Sequence, residues 1–296
     1  MLNNKKISFK FKSNKLYISD GATGTNLLSR GLPKGTAPEV WVLENPSAIV
    51  QLHKDFIAAG AEIILTCTFG GSSIRLDHSN LGERTEEINK KAVGLARTAI
   101  EGSSVMIAGS MGPLGQMLQP LGTLAVSDAK DIYAQQAKAL VEAGVNFLLI
   151  ETQFDLNEAK AAIQGIQSVS SLPIVCSFSY DRGTRTMMGV SPKNMAGELS
   201  SFDLMAIGIN CGKSIEDNFQ AMQELNQSTK LPIWFKPNAG LPEMDKNGNP
   251  TYSITPQKMG AQVKNWINAG ANIIGGCCGT TPEHLQQIAI NVRNYQ

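Results

Sequence analysis

No run of apolar residues in this sequence approaches the ~20 needed to cross a bilayer; the longest, such as Phe147 to Ile150, stop after a few positions. A membrane span is therefore not expected. Charge of one sign is also missing: 26 basic against 25 acidic residues leave a formal net charge of +1, with no basic field to hold a phosphate backbone. Nucleic acid is not an expected partner. The N-terminal lysines Lys5, Lys6, Lys10, Lys12 and Lys15 are followed by no continuous apolar segment, so the core of a secretory signal is lacking. Cytoplasmic residence is the expectation, and it keeps thiols reduced. Cysteine is scarce as well. Five residues, an odd number, are too few for a disulfide scaffold in 296 residues and point instead to metal binding or catalysis.

What the sequence does have is 28 glycines, 42% hydrophobic residues and a recurring pattern. Residues 59–69, 143–153 and 269–279 each begin Ala-Gly and run at once into a buried strand, as expected where a helix ends at a glycine cap. Further apolar strands are read at Leu16 to Ser19, Val105 to Ala108, Ile174 to Phe178, Met205 to Ile209 and Ile233 to Phe235. Amphipathic helices are expected over about 46–59, 84–101, 128–143, 156–168, 193–200, 215–228, 256–269 and 282–294. Their caps are read as Asn45-Pro46, Ser127-Asp128, Ser191-Pro192, Thr255-Pro256 and Thr281-Pro282. Eight strands alternating with eight helices is the arithmetic of a (β/α)8 TIM barrel. A doubly wound sheet is the runner-up, but the turn Asp20 to Thr25 lacks a dinucleotide fingerprint. Ahead of the barrel, Ile7, Phe9 and Phe11 alternate with Ser8, Lys10 and Lys12, which predicts a short strand, a turn at Ser13-Asn14 and an extension of residues 1–15 before a domain of 16–296.

In such a barrel Cys211 follows strand six and Cys277 and Cys278 end strand eight, so all three thiols lie on the rim where active sites are built. Gly275, Gly276 and Gly279 would let the backbone turn there, bringing adjacent cysteines to one ligand. Three readings of the thiols stand: a zinc site with three protein ligands and one open position, small buried hydrophobes, or a vicinal disulfide between Cys277 and Cys278. Cys67, after strand two, reads as a packing or substrate-lining residue, and Cys176 as core. Glu151 and Asp20 close buried strands and need a cationic partner, either a ligand ammonium or an internal Lys or Arg. His53, His78 and His284 are expected on helical or loop surfaces away from the strand ends. Lys236, ending strand seven, is the one rim lysine that could serve a metal-free aldolase or decarboxylase; a non-catalytic zinc- or thiol-binding module is a further alternative.

The segments Asp20-Gly21-Ala22-Thr23-Gly24-Thr25, Gly208-Ile209-Asn210-Cys211, Pro237-Asn238-Ala239-Gly240-Leu241-Pro242 and Gly275-Gly276-Cys277-Cys278-Gly279-Thr280-Thr281-Pro282, in that order, resemble the homocysteine S-methyltransferase family. Pro38-Glu39-Val40-Trp41 and Leu43-Glu44-Asn45-Pro46 bring the likeness nearest to the homocysteine-binding module of cobalamin-dependent methionine synthase. The resemblance implies a zinc cofactor (Zn2+) on Cys211, Cys277 and Cys278, methyl transfer to homocysteine giving methionine, and Asp20, Gly21, Thr66 and Glu151 around the amino-acid end of homocysteine. Cys67 departs from it, standing where that module usually has asparagine. The implied donor is a methylated corrinoid on a partner protein, with S-methylmethionine or S-adenosylmethionine as the alternative. The segments near Thr36 and Gly70 lack the aromatics that betaine-using relatives carry.

Overall fold

Short runs of Ile, Leu, Val and Phe without a polar break suit strands buried on both faces, and the chain sets eight of them side by side. In the computed structural model, which describes residues 10–12, 15–246 and 250–295, the strands are β1 Tyr17–Ile18, β2 Ile63–Leu65, β3 Met106–Met111, β4 Phe147–Gln153, β5 Ile174–Phe178, β6 Ala206–Cys211, β7 Ile233–Pro237 and β8 Ala271–Ile274. They pair in parallel in the order β1-β8-β7-β6-β5-β4-β3-β2. A parallel bridge from Ser19 to Ile63 joins the two ends, where Asp20 N donates to Ile63 O at 3.0 Å and Glu62 N to Ile18 O at 2.8 Å. The sheet closes into the (β/α)8 barrel that the alternation predicts.

The outer helices run Pro46–Ala58, Thr85–Ala99, Val126–Ala143, Leu156–Val169, Pro192–Leu199, Ile215–Ser228, Pro256–Asn268 and Pro282–Tyr295. Ser191 and Thr255 cap as expected, their side chains accepting from Asn194 N and Lys258 N. Two expected caps differ. Helix Val126–Ala143 starts ahead of Ser127-Asp128, from Ala125, which leaves Asp128 in the first turn where it meets the positive end of the helix dipole. Asn45 precedes its helix without capping it, its Oδ1 accepting from Ser47 Oγ instead. Thr281 pairs with His284, whose Nδ1 lies 3.2 Å from Thr281 N and 3.0 Å from its Oγ1, so that the imidazole closes the first turn much as Glu does in a capping box.

Inside the barrel, alternate strand residues Tyr17, Ile63, Leu65, Ala108, Phe147, Leu149, Val175, Ala206, Trp234 and Ile273 form a core of their own. Gly208 makes room for Trp234, since a Cβ there would sit 2.1 Å from the Trp234 carbonyl oxygen. Phe11 covers the end of this core where the strands begin, its ring edge-on to Tyr17 at 4.9 Å and to Phe147 at 5.7 Å. Ile7, Phe9 and the turn at Ser13-Asn14 lie outside the described residues. At the opposite end the loops are built up by short helices Thr23–Ser29, Trp41–Glu44 and Ser73–Leu76 and by an antiparallel hairpin, Pro242–Met244 with Pro250–Tyr252. Among the described residues no helix is long and apolar enough to cross a membrane.

Candidate active site and metal centre

Cys211, Cys277 and Cys278 meet on the rim where the strands end. Their sulfurs all lie within 4.8 Å of one another, with Cys211 Sγ 3.8 Å from Cys278 Sγ. All are free thiols, so the pair Cys277-Cys278 forms no vicinal disulfide. Two sulfurs bound tetrahedrally to zinc at ~2.3 Å stand about 3.8 Å apart, so this donor set fits a zinc ion. The backbone is shaped to make the cluster. Cys211 takes a left-handed φ of 62°, which turns its side chain off the line of β6. Of the three glycines around the pair, only Gly279 has a positive φ, 79°. Gly275 matters for close approach instead, because a Cβ there would come within 2.6 Å of Asp20 O. Hydrogen bonds from Cys211 and Cys278 hold the Cys277 thiol well below its ordinary value, and the same contacts push Cys211 up. The bond from Cys211 lowers Cys278, but the Cys277 thiolate and burial outweigh it and leave Cys278 raised. The cluster thus favours one anion and keeps the other two protons until a cation replaces them.

The two rim carboxylates have different surroundings. Asp20 finds an internal partner: Lys236 Nζ, buried with it, donates to Oδ1 at 2.6 Å, and Leu65 N donates to Oδ2 at 2.7 Å. Glu151, 6% exposed, accepts from Ser110 Oγ, a neutral partner. Burial pushes its carboxyl up to about 7; the Lys236 charge pulls it down and the Cys277 thiolate pushes it up. Thr66 Oγ1 accepts from Ser110 N at 3.0 Å and donates to Thr68 Oγ1 at 2.6 Å, whose own proton goes to Ser110 O.

These residues line one cavity of about 600 Å3. Gly21, Thr66, Ser110, Glu151, Lys236 and the three cysteines all contribute to its wall, so every site residue expected from the sequence faces it except Asp20, which stands behind Lys236. Cys67 lines it too, and burial together with Glu39 pushes its thiol far up, which keeps it protonated. One aromatic, Phe69, lines the cavity beside Gly70, contrary to the expectation of none there. A single ring is short of the several-sided cage that recognises a quaternary ammonium. The histidines also differ from expectation. His53 and His284 are buried, His284 Nε2 reaching Ile254 O at 2.8 Å, while exposed His78 touches the outer cavity wall. No histidine stands at a strand end.

Two asparagines within the quoted motifs position the metal centre, although the sequence reading assigned them no role. Asn210 Oδ1 accepts from Thr152 N at 2.8 Å and Ser177 Oγ at 2.6 Å, while its Nδ2 donates to Thr152 Oγ1 and faces Cys277 Sγ at 3.8 Å. Asn238 staples the two cysteine turns, its Oδ1 accepting from Cys278 N at 2.9 Å and its Nδ2 donating to Gly212 O at 2.8 Å. The available signal was Asn210 beside Cys211; Asn238, just past the end of β7, stands near no cysteine in the sequence and offered none. Asn238→Ala should lower the affinity of the three-cysteine cluster for a divalent metal about tenfold or more, the usual scale for a lost outer-shell contact. Competition against a chromophoric chelator measures it, and unchanged affinity would show that the turns hold themselves.

Residues 17–292 match the family model described as homocysteine S-methyltransferase. Methionine synthase of Mycobacterium tuberculosis is 27% identical over 301 residues, covering 95% of this chain, and the chain spans only 25% of that relative's length. Among solved structures, the homocysteine methyltransferase MmuM of Escherichia coli superposes in its metallated form with a TM-score of 0.80 at 25% identity, over 93% of this chain and 96% of that one. Its oxidized form gives 0.79 at 25% identity, over 93% and 95%. A methyltransferase from Methanosarcina mazei, 12% identical with a TM-score of 0.60 over 95% and 94%, shares the fold. With a family match along almost the whole barrel and three free thiols gathered where its strands end, the chain belongs to the homocysteine S-methyltransferase family.

Proposed function

We propose that this protein transfers a methyl group to the thiol of homocysteine, giving methionine, with zinc held by Cys211, Cys277 and Cys278 and the methyl brought by a methylated corrinoid on a partner protein. The three-thiol cluster on the cavity wall, with the Glu151 carboxyl on the same wall, is the observation that carries this reading. Zinc, when bound, acts as a Lewis acid that makes a substrate thiol ionise near neutral pH. The chain's own residues place the rest of the substrate. Glu151 takes the ammonium group, and Gly21 and Thr66 border the amino-acid end, with Asp20 held behind by Lys236. The homocysteine sulfur then attacks the methyl carbon as the bond from that carbon to cobalt breaks and cobalt keeps the electron pair. No residue needs to shuttle a proton in that step, which agrees with the absence of histidine from the strand ends. Alignment matters more.

The rim supports a protein-borne donor. Of the ten large exposed apolar side chains among the described residues, Phe69, Met117, Leu121, Met187, Leu241 and Met244 stand on connections that follow β2, β3, β5 and β7, and the other four, Val126, Val169, Ile290 and Tyr295, stand on helices. Apolar side chains gathered on one face mark an interaction surface. Reduced thiols at the centre fit a cytoplasmic location. The test supplies zinc-loaded protein and homocysteine with methylcobalamin, a methylated corrinoid protein, S-methylmethionine, S-adenosylmethionine or betaine in parallel. Methionine is expected from the corrinoid donors. Turnover with a sulfonium or betaine and none with either corrinoid would overturn the choice of donor, and no methionine from any of them would overturn the reaction.

A further inference from the structure

The deepest charge in the cavity wall is Lys236. Its side chain is 2% exposed, its Nζ lies 2.6 Å from Asp20 Oδ1, and the Trp234 ring sits below it at 5.8 Å. Lys236 stands at the end of β7, opposite Asn210 of β6, whereas Asp20 follows β1. To reach Asp20 the lysine passes the intervening strand. At that level β8 has run into Gly275 and Gly276, which present no side chain, and their N–H groups donate to Phe235 O and Asp20 O at 3.1 Å each.

Three buried carboxylates bear on this cavity: Glu151 and Glu39 on its wall, the latter accepting from Gly70 N at 2.7 Å, and Asp20 behind Lys236. Both oxygens of Asp20 are engaged, by the Lys236 ammonium and by Leu65 N–H. Glu151 has a neutral hydroxyl from Ser110 and no lysine or arginine on it within ion-pair distance among the described residues. We infer that Lys236 is a positioning residue: by matching the charge of Asp20 it reserves Glu151 for the ammonium of the amino-acid substrate. This rests on the homocysteine reading of the site. Removing Lys236 alone would leave two unmatched buried carboxylates competing for one substrate cation. Removing Lys236 and the Asp20 charge together restores the original balance, because breaking a buried pair on one side is far more damaging than deleting both partners.

The experiment is calorimetric titration with methionine, the thiol-free product, at mildly alkaline pH, on zinc-loaded wild type, Lys236→Met and Asp20→Asn/Lys236→Met, with melting curves alongside. Lys236→Met should weaken methionine binding about tenfold or more, the scale of one charged hydrogen bond, and lower the melting temperature. The double variant should bind within about threefold of wild type and regain most of the melting temperature, as expected for a charge-balanced replacement. A purely structural lysine would lower the melting temperature and leave affinity alone. A single variant that binds like wild type, or a double variant no better than the single, overturns the assignment while the substrate reading stands. Failure of the wild type to bind methionine removes the substrate reading, and this assignment falls with it.

Discussion

Cys211→Ser, Cys277→Ser and Cys278→Ser should each leave the purified protein with far less than one equivalent of zinc and almost no methyl transfer, yet folded. The loss of activity follows from the substrate's own acidity. An alkyl thiol with a pKa near 8.5 is only ~3% ionised at pH 7, and the thiolate is the nucleophile. That alone costs about thirtyfold, and losing the alignment of the thiol against the donor adds a further large factor, so a fall of ~10^3 or more is expected. Folding should survive because the cluster sits on the rim, apart from the two apolar cores that lie inside the barrel and beneath its helices. Zinc bound as proposed would itself raise the melting temperature of the wild type, so the proper reference is metal-free wild type. Each variant should melt close to that reference and gain nothing from added zinc. Metal analysis with melting curves checks both halves. Full zinc retention by any variant would remove that cysteine from the ligand set, and unfolding of all three would make the site structural.

Every strand read from an apolar run is present, although Met106–Met111 and Ala206–Cys211 run two to three residues past the ends read for them, into Gly, Ser, Asn and Cys. Ile174–Phe178 emerges as read, and the helices Leu156–Val169 and Ile215–Ser228 match to within a residue because their apolar periodicity runs their whole length; the caps Asp155 and Ser214, not singled out from the sequence, fix their starts. Helix Thr23–Ser29 was not legible. Its sequence is rich in Gly, Thr and Ser, poor helix formers, and the segment is fixed by a partner distant in the chain, with Asn26 Nδ2 donating to Thr280 O at 2.9 Å as well as to Ala22 O. His53 is a different kind of miss. Ile49, Leu52, His53 and Phe56 are all buried at helical spacing, so the apolar stripe did contain it, and its polarity alone suggested the surface.

The site divides the same way. Cysteines and carboxylates at strand ends can be found from local pattern, since the strand order places every C-terminal end on one rim. The pairing of Lys236 with Asp20 spans 216 residues, a separation that no local pattern encodes. The choice between ligand ammonium and internal lysine therefore stayed open for both carboxylates until their surroundings were visible. Asp20 has the lysine, and Glu151 has a hydroxyl.

Glu151→Gln should weaken methionine binding by ~1.5–3 kcal/mol, about 10- to 150-fold, while zinc content stays at the wild-type level. The amide keeps the shape and can still meet Ser110, but it removes the charge that the substrate ammonium needs. The pH dependence carries a second signature. Burial pushes the Glu151 carboxyl from 4.5 up to about 7, so it is largely protonated at pH 6 and ionised at pH 8. Wild-type affinity for methionine should therefore rise across that interval, approaching tenfold per pH unit on the acid side, and the rise should vanish in Glu151→Gln. Stability should move the opposite way. The folded protein holds this proton more tightly than the unfolded chain does, so the contribution of Glu151 is full below about 4.5 and is lost as pH climbs through about 7. At pH 8 the wild type carries a buried charge that the glutamine variant lacks, and Glu151→Gln should be the more stable protein there by ~2–3 kcal/mol, with little difference at pH 5. A variant that binds methionine worse but melts higher at alkaline pH would mark Glu151 as a charge kept for the substrate at the expense of the fold. Unchanged affinity would move the ammonium elsewhere on the cavity wall, and a lower melting temperature at pH 8 would show that the Glu151 charge is already matched within the protein.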